Sequence, residues 1–274
     1  MEKELGAATD RRLKEQMDSA SDAVEAAIRE MTVGIVYGSG ERKWQGIAAG
    51  TLVRWGGRPL ILTAEHVVCD TEPEDFRFHF RHDGPPIPVE RDILKSLPGV
   101  PTALLKGCTE LELGRVVMNR ELDLAAIEVQ GDLEEKYLCR FFDIADGGRS
   151  PAEGRQTIVM GFPSDVVRVT HDNKGVVFSY VEWTNAASDR TDLRDFDPAR
   201  HFLTPYKLVE TYPDAMPLGI SGAAMWINEK DTSVVWRPRL DIAGVASAWY
   251  KGKGLLKMVR REVVEEFLAE NVTW

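Results

Sequence analysis

The sequence predicts a mostly-β chain, folded as a barrel or sandwich, with a helix at each end. Short β-rich runs follow one another from VGIVYG to IAGVASAWY, separated by the turn signals GSG, GG, DG and PP, the texture of antiparallel β architecture. The runs do not alternate with long helical stretches, which argues against a βαβ array. Helical periodicity is confined to the two ends.

Taken in order, Leu13, Met17, Ala20, Val24, Ala27 and Ile28 recur at helical intervals between Arg11 and Glu30, with Thr9 available as an N-cap. This predicts an amphipathic helix within residues 1–30. Its stripe is shorter than the ~3–4 heptads of a coiled coil, so it is expected to dock on its own domain. The runs VGIVYG, GIAAGTLVRW, PLILTAEHVV, FRFHFR, LAAIEVQ, QTIVMGF, GVVFSYVEW, GAAMWI, SVVW and IAGVASAWY are the expected strands of one domain spanning 31–274. Val263, Val264, Phe267 and Leu268 return to helical spacing and predict a C-terminal helix over about 259–271. Residues 82–101, rich in Pro and Gly, and 185–202, crowded with Asp and Arg, are expected as surface insertions. The chain shows no repeat of fixed period.

Composition removes several classes of function. With 44 acidic against 34 basic residues in 274, the net charge is −10, so a general affinity for a phosphate backbone is not expected. The basic run at 250–261 is expected as a solvated face or a helix-end cluster, and the seven tryptophans are scattered rather than grouped as a stacking platform. The charged opening MEKELGAATDRRLKEQMD lacks the apolar stretch of roughly 7–15 residues that export requires. No segment reaches the ~18 apolar residues of a membrane span. Cys69, Cys108 and Cys139 form no CxxC pair and are expected as reduced, structural thiols, consistent with a soluble cytoplasmic chain. His79 and His82 sit three apart, which on a strand places them on opposite faces, so neither a metal nor any other cofactor is expected.

Three segments carry chemistry. In Leu62-Thr63-Ala64-Glu65-His66-Val67-Val68 an apolar run ends in a small pair and then a histidine. In Glu121-Leu122-Asp123-Leu124-Ala125-Ala126-Ile127 an aspartate stands at the mouth of an apolar run, and in Pro217-Leu218-Gly219-Ile220-Ser221-Gly222-Ala223-Ala224 a serine lies on a glycine-flanked turn. A serine hydroxyl is a weak nucleophile at neutral pH and needs a base within hydrogen-bond reach. His66 can be that base, and a carboxylate such as Asp123 can hold its tautomer and stabilise the imidazolium that forms. The order His, Asp, Ser occurs in the chymotrypsin arrangement and differs from that of subtilisin and the α/β-hydrolases.

TAEHV, ELDLAAIEV and GISGAA resemble the histidine, aspartate and nucleophile segments of the trypsin-like (chymotrypsin-fold) serine peptidases. The resemblance covers about Thr32 to Met258 and implies two six-stranded antiparallel β-barrels with the triad in the cleft between them. It further implies a serine endopeptidase acting on protein or peptide substrates, with His66, Asp123 and Ser221 catalytic. Backbone N–H groups of Gly219 and Ser221 would then be the oxyanion donors, and Ser247 in GVASAWY the support of the aspartate. The rival is a catalytically silent or partner-activated trypsin-fold binding module. An α/β-hydrolase fits badly, because the serine motif is not Gly-x-Ser-x-Gly and the histidine precedes it.

Two departures refine this. Ile220 stands where members activated by cleavage carry an acid that receives the new N-terminus, so the chain is expected to need no such processing. Val67 replaces the cysteine that follows the histidine in disulfide-bonded members, which places the style nearer to intracellular and HtrA-like bacterial peptidases, here with no PDZ-like segment after Met258. The resemblance puts the primary pocket at Ala215, Leu218, Ala248 and Trp249. With no acid at Ala215 and a bulky Trp249, small or medium apolar residues are expected at the cleaved position.

Overall fold

Gly56 and Gly57 turn the chain back on itself with φ of 56° and 80°, the left-handed pair that a two-residue I′ hairpin demands. The computed structural model describes residues 20, 22–39, 43–69, 71, 76–80, 108–109, 111–144, 156–162, 177–182, 193–206, 219–229 and 239–273. The glycine hairpin folds strand β2 (Lys43–Trp55) onto β3 (Arg58–Thr63), with Trp55 opposite Arg58. On the other edge of β2 lies β1 (Thr32–Ser39), followed outward by β4 (Arg77–His79) and β5 (Cys108–Thr109). Beyond β3 come β7 (Leu124–Val129) and β6 (Leu113–Asn119), and β8 (Phe142–Asp143) runs parallel beside β2.

The second sheet has six strands among the described residues, all antiparallel. In sequence they are β9 (Gln156–Gly161), β10 (Val177–Glu182), β11 (His201–Pro205), β12 (Ala224–Glu229), β13 (Arg239–Tyr250) and β14 (Leu255–Arg260). Their spatial order is β10-β9-β12-β13-β14-β11. The architecture is therefore all-β in two largely antiparallel sheets. Among the described residues the first counts eight strands because β5 and β8 are two-residue additions to six longer ones.

Among the described residues, alternating side chains fill three large apolar regions, beside a small one around Leu193 and Leu203. One lies within the first sheet, around Ile35, Leu52, Ile61, Phe78 and Ile127. A second lies within the second sheet, around Phe202, Met225, Ala246 and Met258. The third joins the two sheets: Leu60, Leu62 and Leu124 from the first meet Met160, Trp226 and Val259 from the second. Both terminal helices contribute to that shared core. Helix α1, over 22–30, inserts Val24 and Ile28, and α4 (Arg261–Asn271) inserts Val264, Phe267 and Leu268. The expected helix before residue 20 lies outside the described residues. Two short α-helices also lie among the described residues, α2 (Glu65–Val68) and α3 (Leu133–Tyr137), the latter capped by Asp132 accepting from Glu135 N–H at 3.2 Å. Among the described residues no helix is long and apolar enough to cross a membrane.

Three expectations need correction. The stretch 185–202 is not simply a solvated insertion, since Leu193, His201 and Phe202 are buried and β11 begins at His201. The basic run 250–261 is solvated only over 251–254, and only its last residue opens a helix. It contains β14, and Lys257 and Arg261 are among the buried residues. Arg261 is held there by ion pairs with Asp241 and Glu265, and the helix starts at Arg261 rather than 259. A basic composition hid a strand whose alternate residues, Leu256 and Met258, face the core. SVVW and residues 82–101 lie outside the described residues.

Ile28 has no exposed surface, so the N-terminal helix is part of the core rather than a detachable arm. Ile28→Ala should cost about 2–5 kcal/mol, the range for emptying a well-packed site, measured by urea unfolding. A cost below about 1 kcal/mol would show that the surroundings collapse to fill the space or that the helix is not docked.

Candidate active site

His66 rides on the single turn of α2. Thr63 ends β3, and Ala64 is buried. Val67 and Val68 anchor the turn in the first core, leaving the imidazole 45% exposed on the opposite side. The turn between β6 and β7 delivers Asp123. Asn119 Oδ1 accepts from Leu122 N–H at 3.1 Å, and Asp123 itself sits at φ 54°, a left-handed conformation that aspartate tolerates better than most residues. Its carboxylate accepts from His66 Nδ1 at 2.9 Å and from the His66 backbone N–H at 3.1 Å. One residue is thus held by both its ring and its main chain.

An ionised carboxylate can only accept, so the shared proton resides on Nδ1 and Nε2 is left as the acceptor. The hydrogen bond to Asp123 holds the His66 pKa above the ordinary histidine value against the opposing effect of burial, with smaller support from the charges of Asp123 and Glu65. Lys257 pushes the other way.

Ser221 lies on a turn closed by Ala223 N–H donating to the Ile220 carbonyl at 2.8 Å. The first sheet holds that turn. The Ser221 carbonyl accepts from Ala49 N–H at 2.9 Å. Thr51 Oγ1 donates to the Gly222 carbonyl at 3.2 Å and accepts from Ala224 N–H at 2.9 Å. Gly222, at φ 85°, lies so close that an added Cβ would stand 2.1 Å from the Ala49 carbonyl oxygen and 2.8 Å from Thr63 Cα. Since Thr63 is three residues before His66, this contact sets the serine turn beside the histidine turn. Among the described residues the Ser221 hydroxyl makes no hydrogen bond to His66.

On the same turn Gly219 adopts φ 100°, and its carbonyl accepts from Phe162 N–H at 3.2 Å. Among the described residues neither the Gly219 nor the Ser221 N–H donates to a backbone carbonyl. Ser247 is buried on β13 with its hydroxyl directed to the Lys257 carbonyl at 3.5 Å, and among the described residues it makes no bond to Asp123. Ala248 and Trp249 follow it, half-buried, with Trp249 packed on the second-sheet core. Ala215 and Leu218 lie outside the described residues, as does His82, the partner considered for His79. Among the described residues no three metal-ligating side chains are grouped.

Cys139 is buried, donates to the Leu133 carbonyl and has its thiol pKa pushed up to about 12 by burial, which leaves it inert. The positioning threonines Thr51 and Thr63 escaped sequence reasoning because each sits inside an ordinary β-run. Arg200 escaped it as well. It forms an ion pair with Glu121, a contact between segments far apart in the chain that no local pattern announces.

Gly222→Ala should misplace the serine turn, because the methyl group meets backbone and not a flexible side-chain end. The expected destabilisation is roughly 1–3 kcal/mol for the strained conformation and overpacking together, read by thermal or urea unfolding. A variant as stable as the parent would show that the two sheets do not approach so closely.

No protein-family model and no curated sequence matches the chain. Solved structures do. The scabies mite inactivated protease paralogue S-I1 is similar with a TM-score of 0.60 at 14% identity, over 89% of this chain and 94% of that one. The inactive form of the Rv3671c protease from M. tuberculosis gives 0.52 at 13% identity, over 92% and 93%. The serine endoprotease of Yersinia pestis gives 0.51 at 13% identity over 91% of this chain, which spans 65% of that protein. At such identities the likeness speaks for architecture alone, and on it the chain has the trypsin-like fold of the serine proteases.

Proposed function

We propose that this protein is a serine endopeptidase acting on protein or peptide substrates in the cytoplasm, where three cysteines without a CxxC pair would stay reduced. The observation that carries the reading is the Nδ1 bond from His66 to Asp123, which leaves Nε2 as a base beside a serine turn. In the first step the Ser221 O–H bond breaks, its proton passes to Nε2, and Oγ forms a bond to the substrate carbonyl carbon. The carbonyl oxygen takes the electron pair and becomes an oxyanion. The N–H groups of Gly219 and Ser221, which donate to no backbone carbonyl among the described residues, are the donors for it, each worth on the order of 10²–10³ in turnover. Collapse breaks the C–N bond as the His66 imidazolium protonates the leaving amine, and water then repeats the sequence to release the acid and restore the serine.

A second reading has its own support. The missing Ser221–His66 bond, and the likeness to a paralogue described as inactivated, fit a binding module that is silent or awaits a partner. Serine–histidine bonds are often long before substrate arrives and tighten only in the complex, so the endopeptidase reading stands first.

A fluorophosphonate probe separates the two. Labelling should occur on the intact chain and vanish in Ser221→Ala. His66→Ala and Ser221→Ala should each lower turnover by on the order of 10⁶, since such groups act as a unit. The rate should fall on acidification through a midpoint above the ordinary histidine value, because the base must be neutral and Asp123 favours its protonated form. Retention of a tenth of the parent activity in Ser221→Ala would sink the assignment.

A further expected outcome concerns the primary pocket that the resemblance places at Ala215 and Trp249, where a bulky Trp249 would narrow one wall and Ala215 would supply no charge. Among substrates that vary only at the cleaved residue, small or medium apolar side chains should be preferred. A preference for Lys or Arg beyond about tenfold in kcat/KM, about 1.4 kcal/mol of discrimination, would require an acid in the pocket.

A further inference from the structure

Residues 193–200 form a strap without helix or strand over the face of β11 and β14 turned away from the second-sheet core. Phe202, Leu256 and Met258 enter that core, so by alternation His201, Leu203 and Lys257 point the other way. There Leu193 and Phe196 of the strap pack with Leu203, Tyr250 and Leu255 in the small apolar cluster, apart from the three large ones. Polar contacts hold the rest. The Arg194 carbonyl accepts from Tyr250 Oη at 2.8 Å, the Asp195 carbonyl from Lys257 Nζ at 3.3 Å and the Pro198 carbonyl from Arg260 Nε at 3.0 Å. At the end of the strap Arg200 is ion-paired with Glu121, two residues before Asp123.

The turn that closes the strap is built on one histidine. His201 is only 4% exposed, and its Nδ1 accepts from the Asp197 backbone N–H at 3.1 Å. The Asp197 carbonyl in turn accepts from the His201 N–H at 2.7 Å and from the Arg200 N–H at 3.0 Å. Accepting at Nδ1 puts the ring proton on Nε2, which is buried and has no hydrogen-bond partner among the described residues. The ring can therefore hold this turn only while it is neutral. A second proton would go to Nδ1 and face the Asp197 N–H donor, and the imidazolium would be shut from water under the same strap as the Lys257 ammonium. Burial first and the Lys257 charge next push the His201 pKa down to about 4, with Asp197 opposing them and Arg200 adding a little.

We propose that residues 193–200 are an acid-released strap, latched by the neutral His201 ring through the Asp197 turn. The latch stands independently of whether Ser221 is a nucleophile. Its sign follows from where the proton binds. Opening returns the ring to the ordinary histidine value, so the open strap takes up more protons than the closed one. The contribution of His201 to closure is fully present above about pH 6.5 and is lost progressively as the pH falls toward about 4. Because the strap packs in its own small cluster, it can open while the two sheets stay closed.

Hydrogen exchange of the intact chain, followed by mass spectrometry between about pH 7.5 and pH 5, tests the latch, each rate being divided by that of an unstructured peptide at the same pH. Opening of peptides covering 193–200 should increase by more than about tenfold over that range, while peptides from β3 and β7 keep their protection. His201→Asn places an amide oxygen where Nδ1 accepts and removes the titrating proton, so its strap opening should change by less than about twofold. A parent strap whose opening changes by less than about twofold would overturn the proposal. So would a His201→Asn strap that keeps the full response, or loss of β3 and β7 protection together with the strap. Should His201→Asn not fold, the His201 ring is followed by NMR titration in the parent. A midpoint below the ordinary histidine value, reached as the strap opens, supports the latch, and an ordinary midpoint with the strap still protected overturns it.

Discussion

Two sheets can bring a serine and a histidine together only if their backbones approach more closely than side chains ordinarily permit. Gly222 meets that constraint, its bare Cα packed against the Ala49 carbonyl and the Thr63 backbone. Three hydrogen bonds from Ala49 and Thr51 then fasten the serine turn to the first sheet, and Thr63 Oγ1 donates to the Ala49 carbonyl on the same patch. The geometry of the site is thus a consequence of an interface within the chain. The apolar layer of Leu60, Leu62, Leu124, Trp226 and Val259 holds that interface shut.

The electrostatics follow from the same enclosure. A carboxylate drawn partly out of water is costly unless hydrogen-bonded, and Asp123 obtains two bonds from His66. The arrangement carries opposing influences on one imidazole, since the bond to the aspartate favours its charged form and burial, with a smaller push from the Lys257 charge, disfavours it. Such opposition keeps the protonation of a base adjustable near neutral pH.

Much of the architecture was legible because hydrophobic alternation is a local property. Runs such as PLILT and LAAIEV announce strands wherever they pack, and the stripe through Val24 and Ile28 announces a helix with one buried face. The glycine pair at 56–57 specifies its own turn, since only residues tolerant of positive φ close such a hairpin. Strands that broke the pattern were missed. β14 is basic in composition, and β11 follows a stretch crowded with Asp and Arg, so each reads as solvated until its pairing with a neighbour is known.

At the site, the sequence alone determined which residue types stand ready for chemistry, because His66, Asp123 and Ser221 each carry distinctive local flanks. It also determined that Ser221 sits on a tight turn, through the glycines on either side. Only the tertiary structure decided that His66 and Asp123 meet at 2.9 Å, that Thr51 and Thr63 brace the serine turn, and that a buried lysine on β14 donates to the Asp195 carbonyl. These contacts join segments distant in the chain. Their free energy comes from excluding water between surfaces that no short stretch of sequence can form.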